Sequence, residues 1–572
     1  MKQKFLASLL LFLGLLVNAF GQDAVQTQQY PKDYFRYPLD LPPKIVGSFG
    51  ELRPNHFHSG LDFRTNQQEG YPVHAAADGF VSRLRVQFGG FGNAVYITHP
   101  NGYTTVYGHL KSFNPQLAQL LRAYQIQAKN DLVDFNLLPL QVPVTKGQVI
   151  ALSGSTGDAV GPHLHFEIRD TQTEQTINPQ LFGLTIPDNI PPTIGTACIY
   201  HFNGAPFSEK TQREFLPVAG AAGHYHLVKP KVITLNGDIG FGITAVDINN
   251  TSPNRNGIYS IELKLDGKTV YTCALERFAF DQTHAINAYI DYPDFLASGR
   301  FIQKCFIPPG SKITLYPQSI NRGIISFTDD LPHEVEYVVS DVAGNTSTLT
   351  LKVQSTSKAT VVAAYKPVMP FRYDQPNQFS ADNVKVNIPA GDLYDDIDFN
   401  YAVLPKKPGA FSATYQIHNR FTPLNDVYDL WIKPDTTAAN WRPGKAVIVN
   451  SAGACEGGIY EDGYVKAQPR TFGYFYVKLD TIPPTIRPLN IINGGNMVAK
   501  KTISLKIGDN LSGIKSYMGY IDGQWVLMEW NNKTSILSYT FDDSLAAGKH
   551  TFELTLTDQK DNSSQYKADF YR

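Results

Sequence analysis

The chain has 572 residues, more than one hydrophobic core serves, so several domains are expected. Its 50 lysines and arginines balance 51 acidic residues to a net charge of -1, which argues against a nucleic-acid partner or an anionic membrane surface. With 34 Phe, 31 Tyr, 45 Gly and 37 Pro the composition suits many short strands joined by turns, and a mainly β protein is expected.

The first residues set Lys2 and Lys4 before an apolar run that ends at Val17, and Asn18-Ala-Phe-Gly21 follows with small residues at -3 and -1 of a cleavage point. We read 1–21 as a secretory signal peptide, because about 13 apolar residues are too few for a comfortable bilayer span. Export to the periplasm or cell surface is therefore expected, without stable membrane insertion. Residues 22–44, with Tyr30-Pro-Lys and Leu41-Pro-Pro43, read as an extended arm laid on the next domain.

From Ile45 to residue 187 short strands alternate with glycine turns: Val73 to Val81, Ala94 to Thr98, Thr104 to Tyr107, Gln148 to Leu152 and Leu164 to Ile168. They predict an antiparallel-sheet core. Leu117 to Tyr124 and Asp131 to Leu138 have helix-like spacing and predict a small helical insertion at about 114–143.

A boundary follows at Asp188-Asn-Ile-Pro-Pro-Thr-Ile194, and Asp480-Thr-Ile-Pro-Pro-Thr-Ile486 repeats it almost residue for residue. Further pairs agree: His333 to Asp341 with Asn345 against His550 to Asp558 with Asn562, and Asp266-Gly267 against Asp522-Gly523. Residues 188–355 and 480–572 resemble the immunoglobulin-like β-sandwich modules of exported bacterial proteins, and 356–479 reads as a strand-rich β domain between them. Cys198, Cys273, Cys305 and Cys455 lack metal-like spacing, and the sequence leaves a disulfide or free buried thiols open.

The chemistry concentrates in Gly161-Pro-His-Leu-His-Phe-Glu-Ile-Arg169. On a strand His163 and His165 face one side while Leu164 and Phe166 face the other. Upstream, His58-Ser-Gly-Leu-Asp62 offers an imidazole and a carboxylate four residues apart. Two His and one Asp with a fourth position free for water is the stoichiometry of a catalytic zinc site. In this reading Glu167 lies across the strand from both histidines and supports the structure, so the base is a histidine. His56, His74 and His99 are left outside the ligand set, and His224-Tyr-His226 reads as an ordinary strand pair, having no HxxxD partner.

Four pieces in order, His58-Ser-Gly-Leu-Asp62, Gly70 to Gly79, Thr105-Val-Tyr-Gly-His109-Leu110 and Gly161 to Ile168, resemble the lysostaphin-type (LytM-like) zinc endopeptidases that cut peptidoglycan peptides. The likeness covers roughly residues 45 to 180. It implies a zinc peptidase domain at 45–187 with one Zn2+ per chain held by His58, Asp62 and His165, and with His109 and His163 assisting the attack of water. It further implies peptidoglycan peptides as substrate, while the C-terminal sandwiches are expected to meet a cell-envelope partner. The rival readings are a catalytically silent wall-binding protein that keeps the fold, and an adhesin in which the sandwiches matter most. All five site residues lie between 58 and 165, so the later modules are expected to be dispensable for chemistry.

Overall fold

The computed structural model describes residues 25–358, 365–542 and 545–572, so the signal-peptide reading of 1–21 lies outside the described residues. The chain is mainly β, as expected. Among the described residues no helix is long and apolar enough to cross a membrane.

The N-terminal sheet runs in the order Ile45–Gly47, Leu61–Arg64, His163–Asp170, Tyr103–Gly108, Asn93–Thr98, Gly79–Val86 and Val133–Asn136, antiparallel throughout. A second sheet of Pro72–His74, Val149–Ser153 and Leu110–Phe113 packs beside it. The segment read as a helical insertion is helical only in its first half, Pro115–Ala128, with Asn114 capping it by accepting from the Leu117 amide. Its second half is not: Val133-Asp-Phe-Asn136 alternates with period two and pairs with Gly79–Val86, so the sheet edge overrides the weak helical spacing.

The arm is a strap. Tyr30, Phe35 and Leu39 are buried in the core, with Tyr30 and Phe35 packed on Phe182. Thr27 and Tyr30 bind the Glu276 carboxylate, at 2.6 Å from the Thr27 amide and 2.7 Å from the Tyr30 hydroxyl.

The N-terminal sheet does not stop at residue 187. Thr176–Ile177 pairs with His163–Asp170 on one side and with Arg277–Phe278, far along the chain, on the other. Phe278 is fully buried, its ring 5.1 Å from that of Phe49 and 5.6 Å from that of Phe57. One continuous hydrophobic core accordingly joins the arm, the N-terminal sheets and the strands that follow residue 188. Separate cores lie between residues 371 and 477 and between 491 and 570.

Between residues 193 and 355 all strands but Arg277–Phe278 form one twelve-stranded sheet, whereas residues 485–571 divide into sheets of four and five strands. The repeated turns nevertheless match in detail. Asp266 Oδ2 is 2.7 Å from His333 Nδ1, and Asp522 Oδ2 is 2.7 Å from His550 Nδ1. Asp341 accepts from the Asn345 amide and side chain at 2.9 and 2.7 Å, and Asp558 from those of Asn562 at 2.8 and 2.7 Å. The four cysteines are free thiols, and all but the half-buried Cys455 are buried.

Candidate metal centre

Pairing register assembles the site. Leu61–Arg64 runs antiparallel to His163–Asp170 with Asp62 opposite His165, a cross-strand pair whose side chains meet on one face. His58 arrives from the hairpin of Leu52–Arg53 with His56–Phe57. Gly60 is required between His58 and Asp62, because a Cβ there would collide with the Phe166 carbonyl oxygen. His165 is also opposite Gly108; alternation alone would turn the next residue, His109, away, yet it comes to the same face with its ring 5.7 Å from that of His165. It does so at φ +59°, where the chain leaves one sheet for the other, a left-handed backbone that a non-glycine residue adopts at some cost.

His58 Nε2, Asp62 Oδ1 and His165 Nδ1 converge. They lie 3.0 Å (His58 to Asp62), 2.9 Å (His165 to Asp62) and 3.0 Å (His58 to His165) apart, all three residues buried. The remaining ring nitrogens are tied down: His58 Nδ1 donates to the Ser48 carbonyl at 2.7 Å, and His165 Nε2 to Glu167 Oε1 at 2.9 Å. This is how metal-ligating imidazoles are oriented, with the far N–H held by a carbonyl or carboxylate.

The electrostatics ask for a cation at the centre. Burial pushes the His58 imidazole down to about 4. Burial raises the Asp62 carboxyl, but His58, His163 and His165 together hold it well below the ordinary carboxylate range. Burial also lowers His165, yet hydrogen bonds to Asp62 and Glu167 win and raise it to about 9. Without a metal, His165 carries the positive charge that its two carboxylate neighbours demand. A dication at the meeting point of three acceptor atoms supplies that charge instead, so the donor set fits zinc.

His109 and His163 stand beside this cluster with ring centroids 4.7 Å apart. His109 Nδ1 donates to the Thr156 carbonyl and His163 Nδ1 to the Gly161 carbonyl, both at 2.8 Å, which leaves each Nε2 as an acceptor. His163 Nε2 is buried without a hydrogen-bond partner, 3.4 Å from Asp62 Oδ1. Burial, then the neighbouring His165 and His163, push His109 down to about 3, so it rests neutral.

Glu167 is a correction. Period two puts residues 163, 165 and 167 on one face, not on opposite faces, and Glu167 holds His165 in place. It is fully buried, bound by the Ser59 hydroxyl and by Arg169 Nε at 2.7 Å. Burial raises its carboxyl, and Arg169, His165 and Ser59 more than reverse this to about 2. Arg169 in turn lies 4.1 Å from the Phe280 ring centroid.

Sequence reasoning missed other supports. Arg53 Nη2 takes the second Asp62 oxygen at 2.6 Å, fixing which oxygen faces the cluster. Lys533, from the last module, donates to the Ser155 and Ala159 carbonyls at 2.7 and 2.6 Å and so clamps the loop whose Thr156 carbonyl orients His109. No local signal marked either. His74 and His99 stay outside the cluster, donating from Nδ1 to the Gly147 and Asp78 carbonyls, and His56 is exposed. His224 and His226 are exposed on the strand His224–Leu227.

Residues 56–129 and 138–179 match the model of peptidase family M23. The chain carries a peptidase family M23 domain. The unmatched residues 130–137 of the M23 domain fall in the expected insertion, and residues 368–480 match a Zu5-like domain. The M23 region is 36% identical over 151 residues to an uncharacterized metalloprotease of Haemophilus influenzae, covering 25% of this chain and 26% of that protein. It is 37% identical over 131 residues to the DD-carboxypeptidase/endopeptidase Mpg of Neisseria meningitidis, covering 23% and 24%. It is 32% identical over 139 residues to the peptidoglycan DD-endopeptidase ShyA of Vibrio cholerae, covering 23% and 26%. The likeness thus spans about a quarter of each of these relatives.

Proposed function

We infer that the protein is an exported zinc endopeptidase that hydrolyses peptide bonds of peptidoglycan. The observation that carries this reading is the convergence of one ligand atom each from His58, Asp62 and His165, all within 4.8 Å of one another, beside the two free Nε2 acceptors of His109 and His163. The names of the Neisseria and Vibrio relatives support the substrate class. The N-terminal signal sequence supports export, and the later modules are the surface proposed for an envelope partner.

When bound, zinc would acidify a water and polarise the scissile carbonyl. The protein's own groups do the rest. Asp62, pinned by Arg53, presents one oxygen to the metal, while Ser48 and Glu167 fix the ligating tautomers of His58 and His165. One Nε2 of the His109–His163 pair takes a proton from the attacking water and later delivers that same proton to the leaving amine, while the other ring lines the side on which the oxyanion develops.

The test separates the roles. His165→Ala removes one of three ligands and should abolish both zinc retention and muropeptide cleavage. His163→Ala and His109→Ala should keep zinc and lose turnover by about 10²- to 10⁴-fold, the usual worth of acid/base assistance. Zinc content by mass spectrometry, with mass analysis of peptidoglycan digests, reads both. Wild-type protein that holds zinc and releases no peptide products would overturn the reading.

A further inference from the structure

A second cluster of ligands lies away from the peptidase site, where the M23 domain meets the first repeat. Asp188 opens the Asp-Asn-Ile-Pro-Pro-Thr boundary, Asp247 follows the strand Gly237–Val246, and Asp341 begins the turn that ends at Asn345. One carboxylate oxygen from each lies within 4.8 Å of the others. For a calcium ion, with oxygen ligands at about 2.3–2.6 Å, donors up to about 5 Å apart fit around a single centre.

Two buried carboxylates and a half-buried one alone are not a site, but a further donor points to a ligand. Asn256, only 3% exposed, lines the same small cavity as Asp188 and Asp247, and its side-chain oxygen has no hydrogen-bond partner. Asp247 Oδ1 is likewise buried and unpartnered. Leaving such acceptors unsatisfied costs about 1–3 kcal/mol each, more when charged. The cavity, about 20 Å³, accommodates one water-sized particle. Burial together with Asp188 and Asp341 drives the Asp247 carboxyl up to about 8, and burial with Asp341 drives Asp188 up to about 6, the response of acids packed together without a counter-ion.

We propose that Asp188, Asp247, Asp341 and the Asn256 carbonyl bind one calcium ion at the junction of the M23 domain and the first repeat. An all-oxygen set of carboxylates and an amide carbonyl selects a hard cation, and its irregular origin in four chain segments suits calcium better than octahedral magnesium. Ser48 lines the same cavity, and its carbonyl holds His58, so the ion braces the backbone behind a zinc ligand.

The second repeat supplies an internal contrast. Asp480, Asp509 and Asp558 gather in the corresponding places, also within 4.8 Å. There Lys560 stands where the first repeat has Ala343, and its ammonium, acting on Asp480 and Asp558, supplies positive charge. The proposal is confined to the first cluster for that reason.

Equilibrium dialysis of the EGTA-stripped full chain against radioactive calcium tests it. Folded Asp247→Asn should hold one calcium ion fewer per chain than wild type and should lose the calcium-dependent rise in unfolding midpoint that wild type shows. If that variant does not fold, Asp188→Asn, at a half-buried position, should show the same deficit. Equal calcium binding by wild type and a folded variant overturns the proposal. Equal displacement of the ion by magnesium at the same concentration overturns the assignment to calcium.

Discussion

The two repeats share their turn chemistry but not their place in the molecule. In the first, residues after 188 donate the Arg277–Phe278 strand to the M23 sheet and merge with its core. In the second, residues 485–571 keep a core of their own and meet the M23 domain through a few contacts around one face. Among the described residues those contacts include Asp131 with the Tyr517 hydroxyl and the Trp530 amide, Trp530 on Phe88 at 4.6 Å, Lys533 on the Ser155–Ala159 loop, and Arg122 with Asp542 at 3.6 Å. The same turn pattern thus occurs once in a region that shares the M23 domain's core and once in a separable neighbour. Apolar burial sets stability, whereas a few polar contacts set position.

Truncation breaks this comparison most sharply. A chain ending at residue 182 keeps all five site residues but strips Phe49, Phe57 and the Thr176–Ile177 edge of their cover, so it should lack a cooperative unfolding transition and hold no stoichiometric zinc. A chain ending at residue 358 should fold and bind zinc. Circular dichroism melts and metal analysis distinguish the two, and a well-folded short chain would restore the view that the later modules are dispensable.

A single substitution makes the same point on a smaller scale. Phe278→Ala should cost about 3–5 kcal/mol, as large-to-small changes in a core do. It should lower the melting of the M23 domain itself, although residue 278 lies outside it. Phe552→Ala, in the separate core of the second repeat, should leave that transition unchanged.

Acid should find the Zu5-like unit separately. Burial holds the neutral His418 imidazole at about 4, against an ordinary 6.5. Its unfolded form binds the proton more readily, so the stability is fully present above pH 6.5 and falls as pH drops towards 4. At about 1.4 kcal/mol per pH unit the loss is on the order of 3 kcal/mol. Denaturant titrations at pH 7 and pH 5 should show it, and His418→Gln should remove most of the dependence.

The smallest effect belongs to the neighbour. Lys533→Ala should leave zinc content and melting of the M23 domain unchanged while reducing kcat several-fold with little change in KM, because the loop that orients His109 loses its clamp. Unchanged kcat would reduce the second repeat to a bystander.

What the sequence showed, and what it did not, follows from distance along the chain. His58 with Asp62 and His163 with His165 were legible because their spacing is local and alternation fixes their faces. Glu167 is within reach of the same arithmetic, since period two sets it on the face of His163 and His165. Arg53, the Ser48 and Thr156 carbonyls and Lys533 were not legible, since their roles exist only once strands pair and loops pack. The Arg277–Phe278 strand is two residues long, too short for any periodicity to announce that it completes a sheet begun far upstream. The separate core of residues 485–571, by contrast, was legible in its alternating strands and repeated turns.

The shared core also sets a timetable. During synthesis the Thr176–Ile177 edge, and the face that Phe278 will cover, emerge long before Phe278 does. At about 5–20 residues per second the wait is on the order of ten seconds, with an open strand edge and apolar rings in water. Any chain interrupted within that interval carries every ligand but not the packing that gathers them. If the chain is the wall hydrolase proposed above, it would then be harmless until about half of its length exists.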